Sequence, residues 1–192
     1  MKGFGNNFRE NKKTTSKKVK SIQKDKLIAN ALSLHSNGKI KEASKIYDFL
    51  IQNKIYDPRV LNNMGSIYSQ IKQFDKAILL FNESIKQFPN SLEAYSNLAS
   101  ILVIKGRGDT AKNILKKAIE LNPNHLNFYS NLAGIYVGDG NLKEAEILLR
   151  KSLDINPKDI NNLVNLACVK KDLGNPKEAE KFLRNALEIN PS

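Results

Sequence analysis

The chain has 192 residues, 41% of them hydrophobic, and a formal charge of +12. No stretch approaches the roughly eighteen uncharged apolar residues that span a bilayer. The single cysteine, Cys168, excludes an internal disulfide framework and fits a reducing compartment, so the expected location is cytoplasmic.

The charge is unevenly placed. Residues 1–26 hold nine Lys and Arg against two acids and lack the apolar core of a secretory signal. Residues 1–23 mix Gly, Asn, Ser, Thr and Lys without periodicity and read as a basic, disordered tail. Its excess charge would draw nucleic acid, an anionic membrane surface or an acidic partner, with Phe4 and Phe8 as further contacts; a merely solvating tail is the simpler expectation.

From residue 24 onward a period of thirty-four residues takes over. Ala43, Ala77, Ala111, Ala145 and Ala179 recur at that interval without a slip. Gly38, Gly106, Gly140 and Gly174 precede them by five residues, with Lys72 breaking the series. Pro89, Pro123, Pro157 and Pro191 follow by twelve, with Ile55 as the exception. Each mark has a mechanical cause. The glycine falls after an apolar helical run, where the chain leaves the helix in a left-handed conformation. The alanine lies in the next helix, where a bulkier side chain would hold two helices apart. The proline stops that second helix. Apolar residues between the marks keep helical spacing, as in Leu98 and Leu102, then Ile114, Leu115 and Ala118. Acids at Glu42, Asp75, Asp109, Glu144 and Glu178 open the second helices, and bases such as Lys116, Arg150 and Arg184 lie toward their ends, as the helix dipole favours.

The predicted architecture is all-α: a right-handed α-solenoid of five helix–turn–helix units at 24–57, 58–91, 92–125, 126–159 and 160–192. The order of residue types resembles the tetratricopeptide repeat (TPR) family. In the fourth unit Tyr129, Leu132, Ala133, Tyr136, Gly140, Ala145, Leu149 and Pro157 fill that family's signature, while Ser152 replaces a usual alanine. Three departures stand out. The first unit has Asn30 where leucine is usual. Lys170 replaces an aromatic in the last unit, which suggests a less covered edge. Phe182, Leu183, Ala186 and Leu187 have no following unit to cover them. The last point gives the expectation that the chain is a fragment of a longer protein or self-associates through this C-terminal repeat.

The resemblance implies that the first helix of each pair lines a concave face through repeat positions 2, 5, 6, 9, 12 and 13. Position 6 is Asn63, Asn97, Asn131 and Asn165 in four consecutive units, with Ala29 in the first. Asn62, Ser66, Ser100 and Asn127 lie around them, so the expected lining is polar and nearly uncharged. A carboxamide offers both a donor and an acceptor, matching a peptide group, so a ladder of them suits the backbone of an extended polypeptide. The ladder is similar to that of the TPR superhelix of O-linked N-acetylglucosamine transferase. The alternative is that these amides bond between adjacent repeats and only hold the structure together. A chaperone-type carboxylate clamp is not expected, because position 2 reads Asp25, Arg59, Glu93, Asn127 and Asn161 and position 6 carries no base.

No convergent set of catalytic groups is visible, and no cofactor is expected. His35 and His125 lie far apart in the repeat register with no Cys or His cluster near them, which argues against a metal site. Cys168, at position 9, fits as a small residue. The "RGD" triplet at 107–109 falls in a turn between two helices, where a glycine and an acidic helix start explain it. The leading expectation is a non-catalytic scaffold or adaptor for a protein or peptide partner. The rival is the substrate-recruiting arm of a larger modifying enzyme, such as a glycosyltransferase, whose catalytic domain is not in this chain.

Overall fold

The structure, a computed structural model, describes residues 23–190, and every regular element among them is a helix. Residues 23–36 form α1, followed by α2 (Ile40–Gln52), α3 (Pro58–Gln70), α4 (Phe74–Gln87) and α5 (Leu92–Ile104). Then come α6 (Gly108–Leu121), α7 (Leu126–Gly138), α8 (Leu142–Ile155), α9 (Ile160–Asp172) and α10 (Pro176–Ile189). The basic tail expected at 1–23 lies, but for its last residue, outside the described residues.

Local chemistry sets these boundaries. Pro58 opens α3, where its fixed φ suits the first turn and its missing N–H costs nothing. The Asp57 carboxylate accepts from the Arg59 backbone N–H at 2.9 Å, capping that end. At the C-terminal ends of the first helices, Gly38, Gly106, Gly140 and Gly174 adopt φ between +70° and +79°. Lys72 takes the same conformation at φ +58°, so the turn survives where the glycine series breaks. One hydrogen bond recurs in these turns: Arg107 N–H to the Leu102 carbonyl, Asn141 to Tyr136, Asn175 to Lys170 and Gln73 to Tyr68, all at 2.7–2.8 Å. Each ties off a carbonyl that the helix end would leave open.

The chain divides into two compact units, one ending at Phe88 and the other beginning at Pro89. In the first unit, Ala31, Ala43, Tyr47, Leu50 and Val60 are fully buried, and Ile28 and Met64 complete their cluster. In the second unit, Tyr95 of α5 meets Phe128 of α7 edge-on, with ring centroids 6.3 Å apart. Further along, Ala133, Ala145, Leu149, Leu166 and Val169 form the core between α7, α8 and α9. The alanines that set the period are buried, which is why the period cannot slip.

Lys170 does not mark a less covered edge. It is only 7% exposed, and its Nζ donates to Glu146 on α8 at 3.1 Å and pairs with Glu178 on α10. An ion-paired node replaces aromatic packing at the point where three helices meet. On α10, Ala186 is buried, whereas Leu183, Leu187 and Ile189 are exposed. No helix among the described residues is long and apolar enough to cross a membrane.

Candidate functional site

The amides of the first helices have two different fates. In the first unit, Asn63 is half-buried and its Nδ2 donates to the Tyr47 hydroxyl at 3.1 Å. That hydroxyl also lies 3.4 Å from the Ala31 carbonyl and 3.3 Å from His35 Nδ1. Asn63 therefore closes a polar chain inside the hairpins. Burial pushes the Tyr47 phenol above its ordinary value, and the bond from Asn63 pulls the other way. Asn62, expected on the binding face, is only 4% exposed; its position packs inward, and it is withdrawn from a guest. Ser66 is half-buried.

In the second unit the ladder is open. Asn97 on α5 and Asn131 on α7 are half-buried, and Asn165 on α9 is exposed. Among the described residues their side chains make no hydrogen bond to the protein. Asn127 and Ser100 are also exposed, although the Ser100 hydroxyl donates to the Ser96 carbonyl of its own helix at 3.0 Å. Ser96, Asn127, Asn131, Asn161 and Asn165 line one depression across the N-terminal halves of the three helices.

The seam between these hairpins uses a different amide, one that the repeat pattern did not single out. Asn162 on α9 is 1% exposed and donates through Nδ2 to the Ser152 hydroxyl on α8 at 2.7 Å. Its Oδ1 accepts from the Ser130 hydroxyl on α7 at 2.6 Å, and Ser152 in turn donates to the Leu126 carbonyl at 3.2 Å. This cluster explains Ser152 in place of alanine: its hydroxyl satisfies a buried amide that methyl groups would strand. The signal in the sequence is a hydroxyl and an amide ten residues apart, both at positions that pack inward.

The expected lining needs a second correction. Across the C-terminal halves of α5 and α7, Val103, Ile104 and Val137 are exposed at positions 12 and 13, and they share depressions with Ser100, Asn131 and Gly134. The face is thus amide-rich at one edge and apolar at the other. The repeat register already put these apolar residues on the groove, beside the more conspicuous polar series. Cys168 is exposed on the same face. Among the described residues no three His, Cys, Asp or Glu side chains gather as metal ligands. The "RGD" turn is ordinary: Gly106 supplies the left-handed residue, α6 starts at Gly108, and Asp109 pairs with Lys112 at 2.7 Å.

Helical hairpins repeated at a fixed interval define a helical-repeat protein. Models described as "Tetratricopeptide repeat" match residues 102–167 and 160–192, and one described as "Psidin, N-terminal TPR repeats region" matches 7–121. The chain belongs to the tetratricopeptide repeat family. No curated protein matches it. Among solved structures it is similar to a crystal structure of MamA, at 23% identity and TM-score 0.73, covering 84% of this chain and 94% of that one. MamA from Desulfovibrio magneticus RS-1 gives 21% identity and TM-score 0.74, covering 88% and 96%. YrrB, described as "a TPR protein with an unusual peptide-binding site", gives 20% identity and TM-score 0.68, covering 91% and 92%. These likenesses concern the fold.

Proposed function

We propose that the chain is a non-catalytic protein-interaction module that holds an extended polypeptide across α5, α7 and α9. The observation that carries this reading is the set of three carboxamides, Asn97, Asn131 and Asn165, accessible on successive first helices and bonded to nothing among the described residues. A free amide on a folded surface matches a peptide group with both donor and acceptor. Each bond contributes about 0.5–1.5 kcal/mol net, so one amide binds nothing by itself and several acting together give a usable affinity. The exposed Val103, Ile104 and Val137 beside them add burial of apolar surface on binding. YrrB, a TPR protein of similar fold with a peptide-binding site, supports this reading.

The test is a pull-down from lysate with the wild-type chain and the Asn97→Ala/Asn131→Ala double variant, with partners identified by mass spectrometry. The expected outcome is partner loss with an unchanged melting temperature. Partner retention, or loss accompanied by unfolding, sinks the groove.

A further inference from the structure

We infer that the trough between α7 and α9 is a side-chain pocket that takes a lysine or arginine of the guest polypeptide. The inference rests on the binding reading above and adds to it which side chain the face selects. Ala133, Gly134 and Val137 of α7 and Asn165, Cys168 and Asp172 of α9 line this one depression, with Leu149 and Val169 as its floor. The floor is apolar and the wall residue Val137 is 38% exposed, so the trough suits a chain of methylenes rather than a polar group. Gly134 makes the room: a Cβ built there meets nothing within 4 Å, so the space above the residue is empty.

Asp172 sets the polarity of the pocket. It is exposed, and among the described residues its carboxylate forms neither an ion pair nor a hydrogen bond. It is also the last residue of α9, where the helix dipole disfavours a negative charge. The carboxylate therefore does nothing for its own helix, and it stands at a trough whose floor would bury a methylene stem. A lysine or arginine side chain is complementary to both features. Lys171, the neighbouring base, projects about 100° around the helix and does not line the depression. Residues 89–190 carry fourteen Lys and Arg against twelve acids, so the unit as a whole is slightly cationic and the attraction comes from the local Asp172 carboxylate alone.

Selection of randomised linear peptides on the full chain tests the pocket. The expected binders share Lys or Arg at one position, and replacing it by Ala weakens binding about three- to tenfold. Asp172→Asn should shrink that difference to what the buried methylene stem contributes and leave the melting temperature equal or higher. Gly134→Leu should also shrink it, by filling the trough, with the fold kept because the added side chain enters open space and a better helix former replaces glycine. Bound peptide should also slow alkylation of Cys168 by iodoacetamide. Binders that lack a shared cation, or whose cation matters equally to the wild type and Asp172→Asn, overturn the pocket while leaving the amide face intact. Failure to select any binder, or binders indifferent to the Asn97→Ala/Asn131→Ala change, overturns the face and the pocket together.

Discussion

The ring of Phe81 occupies the place where Gly65 would carry a side chain. A Cβ built at Gly65 would lie 2.6 Å from Phe81 Cε1 and 2.8 Å from its Cζ. Both residues are buried, Gly65 in the middle of α3 and Phe81 in α4, so neither helix can yield without opening the hairpin. Gly65→Ala should therefore destabilise the chain by about 1–3 kcal/mol, although alanine is the better helix former. Gly134→Ala makes the opposite case on α7, where the added methyl meets nothing, and should stabilise by about 0.5–1 kcal/mol. Chemical denaturation of the two variants compares them; equal effects would mean that the Gly65–Phe81 contact is not close.

Lys72 holds φ +58° in the turn where its counterparts are glycine. A side chain in this conformation crowds the following carbonyl, at a cost of roughly 1 kcal/mol. Lys72→Gly should raise stability by up to about 1 kcal/mol, and Gly140→Ala, at φ +76°, should lower it by a similar amount. Melting curves of both single variants suffice. A destabilised Lys72→Gly would show that the lysine side chain does more than turn the chain.

The Lys170 node makes the α8–α10 edge sensitive to acid. The ammonium of Lys170 holds the Glu178 carboxyl below its ordinary value. Burial pushes Glu146 up, but hydrogen bonds from Lys170 and Arg150 outweigh it, and this carboxyl too is lowered. A folded-state value below the unfolded one means that the stabilisation is fully present above the ordinary glutamate value of about 4.3. It is lost as pH falls through the folded values. Hydrogen exchange of α10 should accelerate in that window, and the Glu146→Gln/Glu178→Gln double variant should lose this part of the pH response. An unaltered response in the double variant would place the acid sensitivity elsewhere.

The repeat marks were legible because each answers to backbone geometry or to closest packing, which tolerate few residue types. Gly140 needs a left-handed φ, Ala145 admits no larger side chain, and both recur at a fixed interval. The amide series was harder to read, because asparagine serves equally well as a buried tie or an open contact. Asn162 and Asn165 lie three residues apart on α9, yet one is sealed among Ser130 and Ser152 and the other is exposed. Only the position of the neighbouring hairpin decides between them. Lys170 misleads for a related reason: a lysine in an aromatic's place signals exposure unless two acids from other helices converge on it.

The same distinction separates Asn63 from the rest of its series. Asn63 donates to Tyr47, a fully buried phenol, whereas Asn97 and Asn131 donate to nothing among the described residues. Asn63→Ala removes a donor from the buried hydroxyl and should cost about 1 kcal/mol of stability. Asn97→Ala and Asn131→Ala remove no internal bond and trade a middling helix former for the best one, so each should melt at or above the wild-type temperature. Thermal unfolding of the three single variants reads this directly. If Asn97→Ala or Asn131→Ala melts as low as Asn63→Ala, those amides also tie hairpins together, and the face has nothing free with which to hold a backbone.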